Sequence, residues 1–106
     1  MQVLFNQGTP VPLRQRLRGH AVATAYERGW STLKNGELLE AAEAAGFEVL
    51  VTTDTNLEYQ QNLASRRVAI VVLGTTSRPR IRVAAERVFL AIGAADPGSC
   101  AEEAIP

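Results

Sequence analysis

Apolar residues gather in four short runs: Val3-Leu4-Phe5, Ala21-Val22-Ala23, Val49-Leu50-Val51 and Val68 to Leu73. Each is bounded by polar or turn residues, and the last two are rich in β-branched side chains. Short, continuous apolar runs of this kind read as buried parallel strands. The expected strands are residues 2–5, 20–24, 49–53 and 68–73.

The intervening stretches carry helix signals. Thr9-Pro10 predicts a helix start, with Thr as N-cap and Pro at the first helical position. That helix runs to about Arg18 and stops at Gly19. Residues 26–34 read as a loop carrying Trp30. Asn35-Gly36 has hairpin chemistry, but Glu37 to Ala45 follows with helical composition. Asn35 is therefore read as an N-cap, Leu38, Ala42 and Ala45 as one helix face, and Gly46 as the terminator. A polar third helix is expected over 56–65. Residues 74–77 form a loop, and Pro79 opens a last helix over about 80–92. The stretch from Gly93 is small, acidic and broken by Pro97-Gly98, so residues 1–92 read as the domain and 93–106 as an irregular tail.

Strands alternating with helices imply parallel βαβ units with right-handed crossovers. Four strands then take the order 2-1-3-4 in an α/β fold. The chain reverses direction across the sheet between strands 1 and 3, and ligands bind at such a switch point, beyond the carboxyl ends of the strands. Asn6 and Asp54 sit at those two ends.

A length of 106 residues fits one domain, and 46% hydrophobic content fits a globular chain rather than a disordered one. Equal numbers of acidic and basic residues remove bulk charge as a guide to nucleic-acid binding. Ten of the eleven basic residues are Arg, whose planar fork suits phosphate; biased codon usage explains the same excess. No apolar run approaches the ~20 residues of a membrane helix. The opening residues lack a signal-peptide pattern, so a cytoplasmic location is expected. Cys100 has no internal partner and reads as a free thiol.

Four oxygen-bearing residues carry the candidate chemistry. Adjacent strand tips are close enough to share a ligand, which brings Asn6 toward Asp54. Glu37, in the first turn of the helix before strand 3, leans over the same crevice, and Asn56 adds a fourth oxygen. Hard oxygen donors with one or two carboxylates suit Mg²⁺ or Mn²⁺. A structural role is open to each: Glu37 against the helix dipole, Asp54 as a helix N-cap, Asn6 and Asn56 as turn residues.

Val3-Leu4-Phe5-Asn6, Gly19-His20-Ala21-Val22, Glu37-Leu38-Leu39 and Val49-Leu50-Val51-Thr52-Thr53-Asp54 together resemble the successive motifs of a short PIN-like domain family, similar to the toxin nucleases of bacterial toxin–antitoxin pairs. The resemblance covers about residues 1–82. It implies a three-layer α/β/α fold with a mainly parallel sheet and an Mg²⁺- or Mn²⁺-dependent ribonuclease. It also implies a cognate antitoxin and self-association. The family's three acids fall on Asn6, Glu37 and Asp54. Asn6 departs from the pattern, because the family has Asp there. An amide keeps the shape and one oxygen but loses a charge. At ~4 Å and an effective dielectric of ~20 that charge is worth ~4 kcal/mol against another unit charge, before desolvation. Two accounts fit: a natural, non-cleaving member, or an inactivating Asp→Asn change that makes a toxic nuclease tolerable to an expression host.

Thr75, Thr76, Ser77, Arg78 and Arg80 follow strand 4 on the same sheet edge and are candidates for holding an RNA phosphate; a solvated, helix-capping loop is the structural alternative. Tyr59 to Asn62 could contact unstacked bases. Arg14, Arg16 and Arg18 read as surface solvation, His20 as a structural histidine away from the cleft, and Trp30 as an anchor. The leading expectation is a metal-dependent endoribonuclease of the toxin type, weakened by Asn6. The alternative is a non-catalytic PIN-like binding or regulatory module.

Overall fold

All four apolar runs are strands in the computed structural model, which describes residues 1–6, 8–33, 35–53 and 66–106. They are β1 (Gln2–Phe5), β2 (Ala21–Thr24), β3 (Val49–Thr52) and β4 (Ala69–Leu73). A fifth strand, β5 (Cys100–Glu103), lies in the stretch expected to be irregular. The sheet is wholly parallel, in the order β2-β1-β3-β4-β5. The expected order 2-1-3-4 is thus present with one strand added. The expected third helix over 56–65, with Tyr59 to Asn62, lies outside the described residues.

Side chains alternate across the sheet, and two apolar clusters follow. Val3, Phe5, Val49, Val51, Ala69 and Val71 face one side; Leu4, Leu50, Ile70 and Val72 face the other. The second face is covered by helix α1 (Asn35–Ala44) through Leu38, Leu39 and Ala42, with Phe47 and Trp30 beside them. Ala45 does not join that face. The helix stops at Ala44, and the chain turns away at Gly46, whose φ of +86° suits glycine. The Trp30 and Phe47 rings pack edge-to-face with their centroids 6.0 Å apart, and the Arg28 guanidinium lies 4.9 Å from the Trp30 ring centroid, so Trp30 anchors the turn after β2 as expected.

The first face is covered differently from expectation. Residues 11–16 form a 3₁₀ helix (Val11–Arg16), not an α-helix. Pro10 takes the N-cap position, and its carbonyl accepts the Leu13 N–H at 3.1 Å, an i+3 bond. The Thr9 hydroxyl does not cap. It donates to the Val51 carbonyl at 3.2 Å, stitching the loop to β3. Leu13 and Leu17 alone cannot cover a five-stranded face. Helices α2 (Arg78–Val83) and α3 (Ala85–Gly93) complete the layer through Ile81, Ala85, Val88 and Ile92. The single helix expected over 80–92 is thus two, broken at Ala84. The inward positions 81, 85, 88 and 92 keep helical phase through the break.

The β1-to-β2 and β4-to-β5 connections lie on this same face but step in opposite directions across the sheet. The last crossover therefore has the opposite hand to the first two, so the three do not all follow the usual right-handed preference. A short 3₁₀ layer leaves room on that face for α2 and α3.

β5 forms although Cys-Ala-Glu-Glu is a poor strand sequence. β4 is buried on both faces, so its outer backbone groups need partners. The Ile70 N–H donates to the Ser99 carbonyl at 2.8 Å, and the Gly74 N–H to the Glu103 carbonyl at 2.9 Å. Cys100 is a free thiol, as expected, but it is ordered in β5 and half-buried; burial, and then Glu102 nearby, push its pKa up. No helix among the described residues is long and apolar enough to cross a membrane.

Removing residues 97–106 strips β4 of this partner. Losing several ladder hydrogen bonds at once is expected to lower stability by roughly 2–4 kcal/mol. Urea unfolding followed by circular dichroism checks this, and an unchanged midpoint would show that β5 adds nothing.

Candidate functional site at the carboxyl edge of the sheet

Because the five strands among the described residues are all parallel, their carboxyl ends share one edge, and the residues just beyond them define it. Asn6 follows β1, the strand between β2 and β3. Its main chain is fixed on both sides: its N–H donates to the Val51 carbonyl at 2.9 Å, and its carbonyl accepts the Thr9 N–H at 3.2 Å. Its side-chain amide donates to the Thr52 hydroxyl at 3.1 Å. Asn6 thus reaches across the switch point to the tip of β3. A threonine hydroxyl both donates and accepts. The same Oγ1 that accepts from an amide would, after rotating its proton, donate to a carboxylate.

A cleft of about 660 Å³ opens beside Asn6. Its wall includes Thr9 from the loop after β1, Arg14 from the 3₁₀ segment, Thr24 from the end of β2, Tyr26 and Glu27 from the following turn, and Arg78 from α2. Gly8 belongs to the same wall and has φ +92°. A Cβ there would come within 2.7 Å of the Thr53 hydroxyl oxygen. Glycine therefore lets the loop after β1 lie against the tip of β3.

Glu27 organises the outer wall. Its Oε1 accepts the Thr24 N–H at 3.0 Å, and the Thr24 hydroxyl accepts the Glu27 N–H at 3.0 Å, a reciprocal pair of the capping-box type. Its other oxygen accepts from Arg14 Nη2 at 3.1 Å. The Arg14 guanidinium, helped by the Thr24 N–H, holds the Glu27 carboxyl below its ordinary value of 4.5. At neutral pH this wall therefore carries two guanidinium groups and one carboxylate.

The sequence-derived candidates divide as follows. Asn6 and Arg78 both line the cleft. Glu37 lies in the first turn of α1, in the layer on the other face, where it is exposed and does not line this cleft. Asp54 and Asn56 lie outside the described residues. Thr75 and Ser77 structure the loop after β4, the Thr75 hydroxyl accepting the Ser77 N–H at 3.1 Å. Neither they nor Thr76 line the cleft. Arg80 is exposed on α2 and lines a separate apolar hollow with Val83 and Pro106. Among the described residues no three His, Cys, Asp or Glu side chains come together as a metal cage. The donors at this edge are hard oxygens, the Asn6 carbonyl and the Thr52 hydroxyl, which suits Mg²⁺ or Mn²⁺ better than a sulfur-seeking ion. They complete a site only with carboxylates beyond them.

Sequence reasoning missed Arg14 and Glu27. Arg14 was read as one of three solvated arginines, whereas Arg16 and Arg18 are exposed and Arg14 is held in the wall. One signal was visible. Thr24-Ala25-Tyr26-Glu27 is the T-x-x-E pattern of a capping box, although no long helix follows it. His20 stands where expected, away from the cleft, with its Nδ1 3.3 Å from the Met1 amino group and its ring edge-on to Phe89.

Gly8→Ala combines a left-handed backbone with the Thr53 contact and is expected to cost about 1–3 kcal/mol in chemical denaturation. Adding Thr53→Ala should recover part of that loss, and no recovery would remove the close approach as its cause. Glu27 has a lowered folded pKa, so its stabilising contribution is complete above the unfolded value near 4.5. It is lost as pH falls through the lower folded value. Glu27→Gln should therefore flatten the acid limb of a plot of melting temperature against pH and leave its shape near neutrality unchanged.

Comparisons of the chain with protein-family models, curated proteins and solved structures find no match.

Proposed function

We propose that this chain is a PIN-like endoribonuclease of the toxin type, weakened at the position of Asn6. The observation that carries the reading is the seat of Asn6. It lies at the carboxyl end of β1, an interior strand between β2 and β3, at the switch point, held by its backbone bonds and bonded to a hydroxyl that serves a carboxylate equally well. Ligands of open parallel sheets bind in the crevice at such a point.

In this reading Asp54, Glu37, Asn6 and Asn56 would hold Mg²⁺ or Mn²⁺. When bound, such an ion activates water and offsets the charge that builds on a phosphodiester. The chain's own residues do the rest. Arg78 and Arg14 meet phosphate oxygens, and Glu27 keeps Arg14 in place. Thr52 orients the side chain at position 6. A cognate antitoxin and self-association are the protein partners the reading implies, and the cytoplasm is its setting.

A second reading, a non-catalytic PIN-like module, has one observation in its favour. The amide at position 6 is neutral and donates to Thr52, a bond that orients the side chain without calling on a cation.

The test is RNA cleavage with Mn²⁺ or Mg²⁺ by three proteins: the chain as it stands, Asn6→Asp, and Asn6→Asp combined with Asp54→Ala. Restoring one unit charge beside a cation should raise the rate of the second on the order of a hundredfold or more. The first and third should stay near background. Equal inactivity of all three, folded and tried on varied RNAs, would reject the nuclease in favour of the module.

A further inference from the structure

The cleft displays one side chain that neither the fold nor the proposed chemistry uses. Tyr26 is 77% exposed and yet lines the same cavity as Asn6, Arg14 and Arg78. Its backbone is not loose. The preceding Ala25 N–H donates to the Phe5 carbonyl at 2.9 Å, and the Tyr26 carbonyl accepts the Gly29 N–H at 3.0 Å. The reciprocal Thr24–Glu27 bonds close the turn around it. A large ring is therefore held in water from a fixed turn, so little backbone entropy remains to be lost when something stacks on it.

The surroundings define what would stack. Arg78 is exposed and has no ion pair among the described residues, and Arg14 stands across the wall with its charge partly offset by Glu27. Guanidinium forks bind phosphate oxygens, and an aromatic face binds an unpaired base. A duplex keeps its base faces covered and has none to give. With a net charge of only about +1 from these three groups, electrostatics alone binds a phosphate chain weakly, and stacking then decides the affinity.

We infer that Tyr26 is a base-stacking platform that limits this cleft to single-stranded RNA, with Arg78 and Arg14 holding the neighbouring phosphate. The inference rests on the ribonuclease reading and adds a residue and a strandedness to it.

Fluorescence anisotropy with a short labelled RNA tests it on the chain as it stands, where Asn6 keeps the RNA uncut. Single strands should bind more tightly than the matched duplex. Tyr26→Ala should lose about tenfold in affinity, and Tyr26→Phe, which keeps the ring, should stay within about twofold of the parent. Arg78→Ala should lower the salt slope by about 0.7, the value of one phosphate contact on a single strand. Tyr26 is exposed, so its variants should melt with the parent. If the parent binds single strands but Tyr26→Ala binds equally well, the platform is wrong, the ribonuclease reading stands, and the ring belongs to a protein partner. Equal loss in Tyr26→Phe and Tyr26→Ala, or equal binding of duplex, also overturns the platform alone. If neither the parent nor Asn6→Asp binds any RNA, the ribonuclease reading falls and takes the platform with it.

Discussion

β1 is the constraint on which the rest depends. It pairs with β2 on one side and β3 on the other, and Val3, Leu4 and Phe5 are fully buried. Burying three such side chains is worth roughly 1.5–3 kcal/mol each before the entropy of ordering them. A strand paired on both edges and covered on both faces has one register, and a slip of one residue would exchange its two faces. The chain leaving it inherits that rigidity. Asn6 is bonded to β3, Gly8 lies against Thr53, and Thr9 reaches back to Val51. The candidate site is thus set by the core rather than by a free loop.

The outer wall obeys a different logic. The Arg14–Glu27 pair is half in water, and such pairs contribute little to stability. Its effect is geometric. One carboxylate bonds the end of β2 and the 3₁₀ segment at once. The arrangement holds one guanidinium in place while the second, on α2, stays exposed.

Much of the fold was legible in the chain. Val49-Leu50-Val51-Thr52 and Ala69 to Leu73 are buried on both faces and look it, and the alternation of strands with helices yielded the parallel order. Failures came where neighbours outweighed local preference. Thr9-Pro10 has helix-start chemistry, but Thr9 serves a carbonyl on β3 and the turn closes as 3₁₀. Cys100 to Glu103 has little strand propensity and became a strand because β4 needed an edge. For the site, Asn6 and Arg78 could be placed from their positions after strands. Arg14 and Glu27 could not, since their meeting depends on how the 3₁₀ segment crosses the β2 turn. Glu37 was read correctly into the first turn of α1, and its exposure is what that position alone leaves open.

The sheet's order also sets an order of assembly. β1, paired on both edges, comes first along the chain, but β3, its partner on one side, starts almost fifty residues later. During synthesis β1 therefore waits, apolar and half-paired, until β3 leaves the ribosome. The strands that follow add outward in the order they are made, β4 and then β5. Early collapse is thus the hazardous stage for this protein. The final strand, weakly apolar and doubly acidic, is well suited to seal an edge against unwanted pairing with other chains.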